Sequence, residues 1–150
     1  MSAVHGMPGH LIRRLQQIHA ALFSAQCTEF SLTSVQFAAL TAVSENPGVD
    51  ATRLSAIIAF DRSTIGDVLE RLEGKGWIAR SPSPADKRVK LVKLTAAGRR
   101  VLDAVRPAVL RVQESILAPL AEADRTRFMA LLEQLVDLHE TVPGALDAAE

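Results

Sequence analysis

The chain has 150 residues, enough for one domain or one lobe with added helices, and its 48% apolar content supports a packed core and excludes general disorder. Seventeen basic side chains balance seventeen acidic ones, and with no tyrosine and 4% aromatics a stacking platform for single-stranded nucleic acid is excluded. No apolar run approaches the ~18 residues of a membrane helix. The opening residues carry no signal-peptide pattern, and the single cysteine, Cys27, has no partner for a disulfide, so a cytoplasmic protein is expected.

Taken in chain order, Pro8 suits a first helical turn because its missing N–H would be unpaired there anyway. Leu11, Leu15, Ile18, Leu22 and Ala25 recur at three- and four-residue steps, which predicts an amphipathic helix over about residues 8–29. Thr33 with Gln36 three residues on is a capping-box pattern, opening a second helix with Phe37, Leu40 and Val43 on one face. Asn46-Pro47-Gly48 ends it. Asp50 can cap a short third helix with Leu54, Ile57 and Ile58 inward, and Asp61 a fourth with Ile65, Val68, Leu69 and Leu72 inward. Residues 77–80 and 89–94 are the strand candidates, separated by a charged loop holding Pro82 and Pro84. Thr95 caps a long helix with Val101, Leu102, Val105, Val109, Val112 and Ile116 as its apolar stripe and Pro107 inside it. Pro119 stops that helix. A last one covers about residues 122–139, with Phe128, Leu131, Leu132, Leu135, Val136 and Leu138 apolar, before Pro143-Gly144.

The order helix, turn, helix, strand, hairpin, strand over residues 54–95 describes a winged helix-turn-helix, a shape that places one helix in a DNA major groove. The expected fold is therefore mainly α with a small β wing. Charge is distributed accordingly. Residues 50–100 hold eleven basic and six acidic side chains, a net of +5, and the remainder holds six and eleven, a net of −5. A basic middle between acidic ends fits a DNA-binding lobe on a larger scaffold.

The expected organisation is a winged lobe at 32–95, a helical dimerisation region at 1–31 and 96–145, and a flexible tail at 146–150. The winged lobe has its own core, so the apolar stripes of the terminal helices need another surface. A second copy of the chain, through a two-fold interface, is the economical partner. An intramolecular three-helix packing is the alternative.

Several blocks together resemble the MarR family of bacterial regulators. They are LTSVQF at 32–37 followed by Leu40, Leu54-Ser55, LERLEGKG at 69–76, Ile78 to Arg80, the wing Asp86-Lys87-Arg88, and LTAAG at 94–98. The resemblance covers nearly the whole chain. It implies a homodimer that binds a pseudo-palindromic operator, usually as a repressor, and is often released by a ligand held between the helical region and the winged lobes. The opening segment, PGHLIRR at 8–14, resembles the subgroup controlling breakdown of aromatic acids, in particular repressors of nicotinate degradation.

On this reading the fourth helix is the recognition helix, with Arg62, Ser63, Thr64 and Asp67 outward and able to reach bases or phosphates. Gly66 allows close backbone approach, and Arg71 suits a phosphate or a surface ion pair. In the wing, Arg88 matches the family's minor-groove arginine and Asp86 the acid that orients it. A narrow minor groove concentrates negative potential and attracts a guanidinium. Lys87 at the loop tip either meets DNA or is simply solvated. His10, Arg13, Arg14, Gln17 and His19 crowd the first helix, and an arginine with a histidine could hold an aromatic carboxylate and its ring hydroxyl. Solvent-facing polar residues of a dimer helix are the alternative. Cys27 has no adjacent cation to activate it, leaving redox sensing as a second reading. A winged-helix protein-interaction module without DNA contact is a third. The histidines are scattered, so no metal or other cofactor is expected. With no phosphate-cradling loop, elbow serine or supported carboxylate pair, neither is an enzyme.

Overall fold

The computed structural model describes residues 3–141. The expected break at Pro143-Gly144 and the tail at 146–150 lie outside the described residues. After a 3-10 turn at Ala3–Gly6 come α1 (Pro8–Gln26), a second 3-10 turn (Thr28–Phe30), α2 (Ser34–Glu45), α3 (Ala51–Ile58) and α4 (Arg62–Gly74). Strands β1 (Ile78–Pro82) and β2 (Lys90–Leu94) follow, then α5 (Ala96–Leu117) and α6 (Glu122–Glu140). These elements fall into two compact units that divide between Val112 and Gln113, inside α5.

In the first unit the helix starts are chemically specified. Thr33 accepts from the Gln36 N–H at 3.2 Å while the Gln36 side chain accepts from the Thr33 N–H at 3.1 Å, the reciprocal box expected from the sequence. Asp50 accepts from the Arg53 N–H at 2.8 Å and Asp61 from the Thr64 N–H at 2.7 Å. The core combines Leu40 and Val43 of α2, Leu54 of α3, Ile65, Leu69 and Leu72 of α4, and Leu102 and Val105 of α5, all under 2% exposed. Two expectations shift. Ile57, read as inward, is 43% exposed, because the buried arc of short α3 centres on Leu54 and Ser55. Helix α1 stops at Gln26 rather than near residue 29. Cys27 is 1% exposed, and the chain then turns through left-handed Ser31 (φ 50°). The Lys75 ammonium, 4.6 Å above the Trp77 ring, donates to the Ser31 carbonyl and pins that turn beside the end of α4.

The wing is an antiparallel pair running from Ile78 opposite Leu94 to Pro82 opposite Lys90. It extends two positions into the expected loop and leaves Trp77 just outside the strand. Pro82 is tolerated because it occupies the last register position of a two-stranded sheet, where its missing N–H leaves no ladder bond unmade. On its other edge, Val92 accepts from the Gly48 N–H and donates to the Val49 carbonyl, each at 2.9 Å, which holds the wing against the α2–α3 connection.

The second unit contains the end of α5 and α6. Arg125 donates to the carbonyls of Leu120 (2.8 Å) and Ala118 (3.0 Å), closing the turn after Pro119. No residue of α6 is buried, and Met129, Leu131, Leu132, Leu135, Val136 and Leu138 are all at least 40% exposed. No helix among the described residues is long and apolar enough to cross a membrane.

Candidate nucleic-acid interface

Helix α4 meets α3 at a tight turn. Ala59 adopts φ 56°, and the Phe60 N–H returns to the Ser55 carbonyl at 3.1 Å. The inner face of α4 is spent on the core: Ile65, Val68, Leu69 and Leu72 are buried. Arg62, Ser63, Gly66, Asp67, Glu70 and Arg71 are exposed and form the outer stripe. Thr64 departs from the expected outward group. It is half-buried, and its hydroxyl donates to Asp61 Oδ2 at 2.8 Å, so it belongs to the helix cap. These bonds, first that from the Thr64 N–H, hold the Asp61 carboxyl below the usual aspartate range.

At the wing, Asp86 and Arg88 form a fork. Arg88 Nε donates to Asp86 Oδ1 and Nη2 to Oδ2, both at 3.1 Å, and the Arg88 backbone N–H reaches Oδ1 at 3.0 Å. The Arg88 side chain is 91% exposed, so it is oriented without being covered. Arg88 in turn holds the Asp86 carboxyl below its ordinary value. Lys87 is exposed beside it. A second fork joins the wing to the recognition helix: Arg80 Nε and Nη2 each donate to a Glu73 carboxylate oxygen at 3.1 Å. The Arg80 contact lowers the Glu73 pKa, and the same pair raises that of Arg80.

Between α3, α4 and the wing lies a cleft of about 510 Å³. Its basic lining comes from Arg53, Arg62, Arg80, Arg88 and Lys90, against the single acid Asp50. Concentrated cationic side chains beside an exposed helix stripe suit a polyanion that passes from α4 to the wing.

The five residues singled out on α1 do not converge. Arg14 Nη1 donates to Gln17 Oε1 at 2.8 Å, and His10 lies on their side of the helix, its ring 5.3 Å from that of His5. Arg13 is exposed on the neighbouring edge. His19 is nine residues beyond His10, and at about 100° per residue that places it on the opposite side of α1. There it is half-buried, edge-on to Phe23 at 6.2 Å. Neither the basic cleft nor the shallower depression beside Asp67, Glu70 and Arg71 includes a residue of α1.

The MarR family model matches residues 32–90, the span from the α2 capping box to the wing. The HTH-type transcriptional repressor NicR of Pseudomonas putida is 33% identical over 132 residues, covering 88% of this chain and 84% of NicR. The chain belongs to the MarR family. Solved MarR-type neighbours superpose along most of its length. PcaV of Streptomyces coelicolor, in complex with its natural ligand, gives a TM-score of 0.81 at 36% identity, covering 91% of this chain and 98% of PcaV. BpsR of Bordetella bronchiseptica, whose DNA binding is regulated by 6-hydroxynicotinic acid, gives 0.83 at 31% identity, covering 91% and 98%. The protein is thus a DNA-binding transcriptional regulator with the winged-helix fold, and not an enzyme.

Within this MarR-type lobe, Arg53 and Lys90 face the basic cleft and were not singled out from the sequence. Nothing local marks them, since α3 and β2 bring them to Arg62 and Arg88 only in the fold. Cys27 is sealed in the core. Burial pushes its thiol pKa up, and the Arg111 charge opposes that only in part. A covered, protonated thiol argues against the redox reading. Among the described residues no group of three or more His, Cys, Asp or Glu could hold a metal ion.

Proposed function

We propose that two copies of the chain form a homodimer that binds a pseudo-palindromic operator as a repressor and leaves it when a small aromatic carboxylate, of the hydroxynicotinate type, is bound. The observation that carries the DNA half is the basic cleft, which joins the outward stripe of α4 to the Asp86–Arg88 fork of the wing. Arg62, Ser63, Asp67 and Arg71 then address the major groove and its phosphates. Thr64 stays near the backbone through its cap. Arg88, held by Asp86 and flanked by Lys87, enters the minor groove.

Exposed apolar faces support the dimer. Leu11, Leu15 and Ile18 on α1 are at least 40% exposed, as are Leu131, Leu132 and Leu135 on α6. Such faces are costly to leave in water, and burial against a second copy removes the cost. Helix α1 and the segment after residue 95 therefore serve as the dimerisation region, with 32–95 as the DNA-binding lobe.

The effector class is supported by BpsR, 31% identical to this chain, whose DNA binding is regulated by 6-hydroxynicotinic acid. Arg14, with His10 and Gln17 on its face of α1 and Arg13 on the neighbouring edge, is the carboxylate-binding group; His19, on the opposite side against Phe23, lies apart from it. The effector acts by binding the operator-incompetent arrangement more tightly, since only differential affinity shifts a population. Binding to the DNA upstream of the protein's own coding region, followed against salt, tests the reading. Two chains per site and a steep loss of affinity with salt are expected. A monomer on DNA, or salt-insensitive binding, contradicts it.

A further inference from the structure

Of the four glycines that lie in α-helices among the described residues, Gly9 and Gly74 fall in a first turn and at a last residue, while Gly66 and Gly98 occupy positions with opposite logic. A Cβ at Gly98 would strike the Trp77 backbone, so glycine there has an internal cause. Gly66, in the middle of α4, has none. It does not adopt a positive φ, it is exposed, and a Cβ built on it meets nothing within 4 Å. A glycine in an exposed helix interior lowers helix stability relative to alanine, and nothing inside the chain repays that cost. A partner approaching the face α4 presents would supply the missing cause.

Ser63, Gly66, Asp67 and Glu70 are spaced i, i+3, i+4 and i+7, which makes them one stripe of the helix. On that stripe Asp67, Glu70 and Arg71 line a shallow depression of about 400 Å³. Two carboxylates beside the clearance repel a phosphate and accept N–H donors. In the major groove the N–H donors are the exocyclic amines of cytosine (N4) and adenine (N6). We propose that Gly66 is the clearance through which a base-pair edge approaches the backbone of α4, and that Asp67 selects an amino-bearing base, cytosine or adenine, at that position. This rests on α4 being the recognition helix and adds which residues set its sequence preference.

The full-length protein tests it through paired measurements on wild type, Gly66→Ala and Asp67→Ala. Gly66→Ala raises Tm by about 3 °C. The same variant weakens operator binding by about tenfold or more, while its binding to an unrelated duplex stays at the wild-type level. In a selection from a randomised operator, Asp67→Ala loses about tenfold of the wild-type preference for cytosine or adenine at one position of each half-site. A Gly66→Ala protein that is more stable and binds the operator as tightly as wild type overturns the proposal. So does one that is less stable, because glycine would then have an internal role. Wild type that does not prefer the operator to unrelated DNA removes both this proposal and the DNA reading beneath it, a result distinct from either of the others.

Discussion

Gly98 presses its Cα against the Trp77 carbonyl so closely that a Cβ would sit 1.9 Å from that oxygen. The same junction is stitched by Thr95, whose hydroxyl donates to the Gly76 carbonyl at 2.6 Å and accepts from the Gly98 N–H at 3.0 Å. The start of α5 is thereby fixed to the turn between α4 and the wing. This gives the LTAAG block at 94–98 a physical reason: a capping threonine and, three residues later, the residue without a side chain. Gly98→Ala is expected to destabilise the fold by about 2 kcal/mol or more, because the obstacle is backbone and cannot rotate away. Urea unfolding reads this directly, and unchanged stability would mean that α5 can shift freely at its start.

Arg88→Ala removes one exposed cation of the wing, the one held by Asp86, but no core contact. Operator affinity is expected to fall about tenfold or more, and the slope of log affinity against log salt to decrease by about 1 per chain. Sedimentation should show the same oligomeric state as wild type. Loss of the oligomer alongside DNA binding would assign Arg88 a structural task instead.

Acid should loosen the joint between wing and recognition helix. Glu73 has a folded pKa below its ordinary value of 4.5 because Arg80 bonds the carboxylate. A depressed carboxylate contributes stability above the unfolded pKa, and that contribution is lost as pH falls through the folded value. The urea midpoint of wild type is therefore expected to exceed that of Glu73→Gln at pH 7, and the gap to close as pH falls through the depressed Glu73 value. Asp61 and Asp86, also depressed by their hydrogen bonds, act in the same direction. A gap that persists at low pH would show that the Arg80–Glu73 ion pair is not its source.

Arg14→Ala is expected to bind operator like wild type and to need about tenfold or more aromatic acid for release, the loss of one charge-assisted contact. His19→Ala separates the two sides of α1. His19→Ala is expected to be released at wild-type ligand concentrations, because His19 faces Phe23 on the other side of the helix. Release of Arg14→Ala at wild-type ligand concentrations would remove the carboxylate site from this helix.

Residues whose role is set by near neighbours were legible in the sequence. The Thr33–Gln36 box, the Asp50 and Asp61 caps and the inward set Ile65, Val68, Leu69 and Leu72 all follow from local spacing and stand as read. Thr64 misled because a threonine three residues after an N-cap aspartate can bond back to it, which periodicity alone does not weigh. Ile57 misled because an eight-residue helix buries a narrow arc. The basic cleft was not legible, since Arg53, Arg62, Arg80 and the Arg88–Lys90 pair come from four separate segments and meet only when α3, α4 and the wing are packed. The clustering of polar residues on α1 was legible, but the division of His19 from Arg14 emerges only when the helix is followed through its full turns.

The most direct test of ligand-controlled repression is fluorescence anisotropy on a labelled duplex from the protein's own upstream region, titrated with hydroxylated nicotinates and related aromatic carboxylates. Release by one of them, at concentrations that leave the oligomer folded, is the expected result. Tight, salt-sensitive binding that none of these acids disturbs would contradict the effector assignment while leaving the DNA interface in place.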